Sequence, residues 1–333
     1  MQKFMNNPNK MVEESLSGFA KCHAESVVRP SQNLQVLKYK HAPIAGKVGI
    51  VTGGGSGHNP AFIGYIGMNM LDAVAAGQIF VPPSAEEFYA AFKCADSGNG
   101  VACLFGNYER DNANVQKAIE MAAKDNITVK TVVSNDDVAS APAHKKEKRR
   151  GISGEVFMWK IGGAAAAKGM SLDEVIAVSQ KAVDNTRSFG VGLSSCIIPL
   201  TGRPNYSIEE GTMEVGVGHH GDPSLDVCKL KPASGTADIM LDATLCELRP
   251  EKSDELVVMI SGLGATTLME QYILYDRIHD RLVEQGIKIY RSFVGDFFTS
   301  LDMMGASLTL MKLDSELKEL LDYPADGISF KRF

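Results

Sequence analysis

The stretch Lys47-Val48-Gly49-Ile50-Val51-Thr52-Gly53-Gly54-Gly55-Ser56-Gly57-His58-Asn59-Pro60 decides the architecture. Val48, Ile50 and Val51 form a short apolar run rich in β-branched residues, the signature of a buried strand. It runs straight into a glycine-rich turn that presents a histidine. A strand that ends on such a turn and alternates with helical segments is the building unit of α/β proteins.

The same order recurs along the chain. Met11, Leu16, Phe19 and Ala20 can share one helix face, so Met11–Ala20 is expected to be helical. Val101–Phe105 reads as a strand with Asn107 to Asp111 as its exit loop, followed by a helix over about Ala113–Lys124 and a strand over Val129–Val133. Ser171-Leu172-Asp173-Glu174 matches a capping box, so a helix begins there and runs to about Val183. Beyond Asn185 come a short strand at Cys196–Pro199 and glycine-rich loops. A second strand-loop unit follows, Leu256–Ser261 with Gly262–Thr267. A helix over about Met269–Glu284 and strands at Ile287–Phe293 and Leu308–Lys312 complete the pattern. The expected fold is α/β in two domains, each a mixed, largely parallel sheet flanked by helices. Residues 1–187 form the N-terminal domain with the glycine-rich loop, and residues 188–333 the C-terminal one. In parallel sheets ligands gather at the carboxyl ends of strands, where both Gly53–His58 and Asn107–Asp111 fall.

Composition bounds the function. Of 333 residues, 44% are apolar and 22% charged, which suits a globular protein with a full core. A net charge of −6 argues against whole-protein attraction to nucleic acid or anionic lipid. The basic cluster Lys145-Lys146-Glu147-Lys148-Arg149-Arg150 is short and contains an acid, and reads as a solvated loop. The six cysteines lack CxxC or any metal-ligand spacing and read as reduced, mostly buried thiols. The start Met1-Gln2-Lys3-Phe4-Met5-Asn6-Asn7-Pro8 lacks the apolar core of a signal peptide, and no run is long enough to span a bilayer. A cytoplasmic location, with no metal and no cofactor, is expected.

The glycine loop is not a P-loop, because no Lys-Ser/Thr follows the glycines. Nor is it a dinucleotide fingerprint, since His58 and Pro60 stand where the helix should start. Backbone donors at Gly55, Ser56 and His58 could still fix a small neutral ligand. A second histidine-bearing segment, Gly216-Val217-Gly218-His219-His220-Gly221-Asp222-Pro223, has small residues on both sides of its imidazoles. Two readings are open there: a tight turn with an exposed or backbone-bonded histidine, or a backbone kept slim so that a ligand can reach one ring.

Several motifs occur in order: Gly53–His58, Asn107-Tyr108 with Asp111, Asp136-Asp137-Val138-Ala139, Arg149-Arg150-Gly151, Gly216–Pro223, Leu263-Gly264-Ala265-Thr266 and Thr299-Ser300-Leu301-Asp302-Met303. Together they resemble the dihydroxyacetone-binding subunit of the dihydroxyacetone kinases, over nearly the whole chain. The resemblance implies two α/β domains, a homodimer, and dihydroxyacetone held as a covalent hemiaminal on the histidine that aligns with His220. It places the glycine-turn histidine on His58 and the ligand-holding aspartate on Asp111, with loop contacts from Gly55, Ser56 and Gly57. In that frame His58 and Asp111 bind ligand hydroxyls, and in a kinase one of them acts as general base.

The resemblance to the kinases breaks in three places. They carry a lysine where Gly106 stands, Thr-Gly where Glu109-Arg110 stand, and Glu where Asn59 stands. The first change removes a cation that would steady a transferring phosphoryl group, worth roughly 10² to 10³ in rate. The pattern resembles a coactivator paralogue that senses dihydroxyacetone and, with a TetR-like DNA-binding partner, turns on genes of glycerol metabolism. Such a protein leaves DNA contact to its partner. The alternative is a kinase subunit served by a separate nucleotide-bearing subunit. A third reading is an α/β sugar-binding or dehydrogenase-like enzyme without a covalent adduct.

Overall fold

The computed structural model describes residues 2–31 and 34–332. They divide into two compact units, each drawn from non-consecutive stretches. The first comprises Gln2–Ser134, Glu155–Ala182 and the segment from Glu319, and the second Asn135–Gly154 and Val183–Lys318. The sequence reading expects two consecutive segments, and pairing explains the difference. The bridge between Asp137 and Ser188 ties the loop after residue 134 to the second unit. The late strand Ala325–Gly327 pairs with Gly67–Met68 of the first unit.

In the first unit a six-stranded sheet has the order β1-β2-β4-β3-β5-β6, with β1 Val27–Val28, β2 Val36–Tyr39, β3 Gly49–Ser56, β4 Ala73–Ile79, β5 Val101–Gly106 and β6 Val129–Ser134. β4, β3, β5 and β6 pair in parallel, and the outer β1 and β2 pair antiparallel. Helix α1, Met11–Cys22, precedes the sheet. Helices α2 (Ala85–Ala95) and α3 (Glu109–Lys124) pack Phe88, Phe92 and Val115 against Val51, Val101 and Phe105. Helix α4, Glu155–Ala167, is buried all round, and Trp159 Nε1 donates to the carbonyl of Leu104 at 3.0 Å. Helix α5, Leu172–Asp184, opens on Ser171, whose hydroxyl and backbone N–H both engage Glu174 as the capping box predicts.

The glycines of the opening stretch differ from expectation. Gly53, Gly54 and Gly55 lie inside β3, and the turn begins only at Gly57, where φ is +108°. Packing explains this. A Cβ at Gly53 would lie 2.5 Å from the Phe88 ring, one at Gly54 2.2 Å from Phe62, and one at Gly55 2.8 Å from the backbone of Val81. The run is glycine because aromatic rings and a neighbouring chain occupy the side-chain space on both faces of the strand.

The second unit carries strands β7 Thr186–Gly192, β8 Thr212–Val215, β9 Asp226–Lys229, β10 Glu255–Gly262, β11 Lys288–Gly295 and β12 Gly305–Leu313, in the order β9-β8-β7-β12-β10-β11. Here the expectation of a largely parallel sheet is corrected. Only β10 and β11, joined by the crossover helix α7 (Leu268–Glu284), are parallel; the other pairs are antiparallel. A parallel neighbour needs a long crossover, and the short loop 296–304 before β12 supplies none. Helices α6 (Ala233–Leu248) and α7 set Met240, Leu241, Ile278 and Leu282 against Val258, Ile260, Leu308 and Leu310.

Among the described residues no helix is long and apolar enough to cross a membrane. Only Cys103 and Cys196 are buried; Cys22 and Cys246 are exposed, so most of the thiols are more accessible than expected.

Candidate functional site

In the first unit, β3 delivers the chain to Gly57 and His58. His58 is buried, its ring stacked on Phe80 at 5.1 Å and edge-on to Phe62 at 6.2 Å. Phe80 has φ +57°, an unusual backbone for a bulky residue, and its N–H donates to the Ser56 carbonyl at 3.0 Å. Ser56 Oγ in turn donates to the carbonyl of Gly77 at 2.7 Å. The imidazole is thus held between two aromatic rings on a hydrogen-bonded corner. Asp111 was expected in a loop but stands in the first turn of α3, which begins at Glu109. A buried carboxylate there is favoured by the helix dipole. Gly106 ends β5, and a Cβ on it would lie 2.4 Å from Oε1 of the buried Glu155. Position 106 therefore faces an acid and carries no cation of its own.

In the second unit the two adjacent histidines part ways. His219 is 2% exposed, stacked on Phe298 at 4.8 Å. Burial above all, with the neighbouring His220 and Arg150 outweighing Asp222, pulls its pKa down to about 3, so it stays neutral. Ser300 Oγ donates to its carbonyl at 2.5 Å. The His220 side chain is 24% exposed, and its Nδ1 lies 3.4 Å from Asp222 Oδ2. Asn205 Nδ2 donates to the His220 carbonyl at 2.8 Å. Gly221, at φ +71°, has no room for a Cβ beside Asn205 and Tyr206.

A polar cluster continues from there. Asp222 Oδ2 also lies 3.5 Å from Arg150 Nη1, and Arg150 places Nε and Nη2 each 2.9 Å from Asp137 Oδ2. Burial raises the Asp222 pKa, but the His220 ring and Arg150 outweigh it and hold the carboxyl well below the usual range. Burial pushes Asp137 up to about 6 despite Arg150 and the N–H of Ala139. The neighbouring Asp136 accepts the N–H groups of Ile152 and Gly154 at 3.1 and 2.9 Å. Arg149 donates to the Ala141 carbonyl at 2.7 Å and pairs with Glu247 at 3.1 Å. The basic cluster is therefore solvated only as far as Lys148; Arg149 and Arg150 are drawn in by buried or half-buried acids.

A family model for the Dak1 domain matches residues 17–329. The chain belongs to the Dak1 family. The dihydroxyacetone-binding subunit DhaK of the PTS-dependent dihydroxyacetone kinase 2 of Listeria innocua is 40% identical over 331 residues, 99% of each chain. The DhaK subunit of the PEP-dependent kinase of Escherichia coli is 34% identical over 348 aligned positions, 97% of each. The solved structure of the dihydroxyacetone kinase operon co-activator Dha-DhaQ superposes with a TM-score of 0.89 at 29% identity, covering 96% of this chain and 98% of that one. The fold of this Dak1 chain is thus shared by kinase subunits and by a co-activator.

Of the residues singled out in the sequence, Gly55, Ser56, Gly57, His58 and Asp111 lie in the first unit and His220 in the second. From sequence alone Asp222 reads as part of a turn and Arg150 as part of a solvated loop. A signal for the Arg150–Asp137 part is the pairing of a double acid, Asp136-Asp137, with a double base, Arg149-Arg150, inside one short loop; nothing comparable points to Asp222.

Proposed function

We propose that this Dak1 protein captures dihydroxyacetone as a hemiaminal on His220. The observation that carries the reading is the contrast within the histidine pair: His219 is enclosed by protein, whereas His220 is reachable and backed by a carboxylate. A neutral imidazole nitrogen adds reversibly to an unhindered ketone. Glycerol has no carbonyl and is rejected by reactivity. His58 and Asp111 bind the hydroxyls of the ligand, and Gly55, Ser56 and Gly57 line its approach. The ligand-bound protein is a homodimer that acts as a coactivator, engaging a TetR-like regulator of the kinase genes. Support for this role comes from Gly106, which faces Glu155 where phosphoryl transfer calls for a cation.

A second reading, the substrate-binding subunit of a kinase with a nucleotide-bearing partner, is favoured by the 40% identity to a DhaK subunit. One experiment separates the two roles: purified protein is mixed with dihydroxyacetone and the phosphate-donating subunits, and product is followed. The coactivator reading expects transfer at least about a hundredfold below a kinase subunit; a normal rate overturns it. Intact mass with and without dihydroxyacetone tests the adduct itself, which His220→Ala must abolish.

A further inference from the structure

The cluster behind His220 is more than a turn needs. Asp222 Oδ2 stands 3.4 Å from both the ring Nδ1 and the backbone nitrogen of His220, and 3.5 Å from Arg150 Nη1. Arg150 is held in turn by Asp137, through two nitrogens at 2.9 Å from one oxygen, and the Arg150 N–H donates to Ser140 Oγ at 2.9 Å. Asp137 returns its own N–H to the Arg150 carbonyl at 3.1 Å. The Asp137 side chain is wholly buried and that of Arg150 only 14% exposed, so the arginine has little freedom to swing away. Gly218 closes the arrangement: a Cβ there would lie 2.3 Å from Asp222 Oδ2 and 3.0 Å from the Arg150 guanidinium. The glycine thus leaves the space that the carboxylate and guanidinium fill.

We propose that Asp137, Arg150 and Asp222 form a positioning chain that keeps the proton of neutral His220 on Nδ1, so that Nε2 presents its lone pair to the ketone. The proposal rests on the reading of His220 as the nucleophile. A carboxylate facing one ring nitrogen fixes the tautomer by accepting its N–H, so that the lone pair lies on the other nitrogen. The chain also suits the product. Two carboxylates and one guanidinium leave one negative charge in excess beside the ring. In the addition, the Nε2–carbon bond forms as the carbonyl π pair moves onto oxygen. That oxygen takes a proton from solvent, and Nδ1 keeps its own. The resulting imidazolium cation balances the excess charge, whereas the neutral ring before addition does not. Asp137, Arg150 and Asp222 touch no ligand in this scheme; they act through His220.

The test reads the tautomer directly. Protein labelled with ¹⁵N-histidine, without ligand and near neutral pH, is studied by long-range ¹H–¹⁵N NMR, with His220→Gln assigning the signals. The expected result is an Nδ1–H tautomer in the native protein and a shift toward Nε2–H in Asp222→Asn. Asp222→Asn, Arg150→Ala and Gly218→Ala are expected to weaken adduct formation, followed by intact mass across dihydroxyacetone concentrations, by about tenfold or more. Arg150→Lys and Asp222→Glu should recover part of that loss, and both serve where a more drastic variant fails to fold. An unchanged tautomer in Asp222→Asn, or full adduct formation in Asp222→Asn and Arg150→Lys alike, overturns the chain. Absence of any adduct in the native protein overturns the reading of His220 instead, while the ligand-free spectra still judge the chain.

Discussion

His219 and His220 differ by one place in sequence and by almost everything in environment. Backbone geometry causes the split. Ser300 and Asn205 grip successive carbonyls, so one ring is turned onto Phe298 and the other toward Asp222. The buried ring has a measurable consequence for stability. Its folded pKa of about 3 lies below the ordinary 6.5, so the unfolded chain binds a proton that the folded one refuses. This stabilising term is present above pH 6.5 and drains away as the pH falls toward 3. By pH 5.5 the loss relative to neutral pH is on the order of 1 kcal/mol. Asp137 works the other way. Its folded pKa of about 6 exceeds the ordinary 3.8, so burying its charge costs stability at neutral pH and the cost fades below 6. His219→Phe is therefore expected to be less acid-sensitive than the native protein between pH 6.5 and 5, as urea denaturation at several pH values would show. An unchanged acid slope would contradict the buried, neutral assignment.

At the scale of elements, what could be read depended on whether a segment shows water one face. Helices α1, α5 and α7 are amphipathic or capped, and their positions follow from apolar spacing and from Ser171. Helix α4 carries no readable period because it is buried on every side, which erases the contrast between faces. Helix α3 starts four residues before the expected Ala113. Tyr108 offers no capping side chain, and Glu109 and Arg110 give no apolar mark. Strand β4, Ala-Val-Ala-Ala-Gly-Gln-Ile, is too small-residued to stand out, although Ala73, Val74 and Ala75 are wholly buried. His58, Asp111 and His220 could be singled out as candidates because each belongs to a short motif. Asp137, Arg150 and Asp222 come together only in three dimensions. One overlooked signal is simple to test. Thr267 and Glu270 form a full capping box at the start of α7. Thr267→Ala should cost about 1 kcal/mol, seen as a lower denaturation midpoint, with Thr267→Ser close to native.

For the whole molecule, covalent capture would be visible without locating the ligand. A ligand that binds only the folded state stabilises it by about 2.7 kcal/mol at a hundred times its dissociation constant. Dihydroxyacetone is therefore expected to raise the melting temperature by several degrees, with glycerol inert and His220→Ala unresponsive to either; a matching rise with glycerol would show that the ketone is not what is recognised. The interleaved path of the chain has a further consequence. Asn69 Nδ2 donates to the Pro324 carbonyl at 2.9 Å across 255 residues, and Lys160, buried in α4, donates to the Leu320 carbonyl at 2.6 Å. During synthesis the ribosome releases residues 2–182 long before these partners emerge. The earliest-made portion must wait, incompletely closed, until residues 320–324 have been made. Such a protein gains little from folding as it is made, and is most exposed to chaperones and proteases while its translation is still under way.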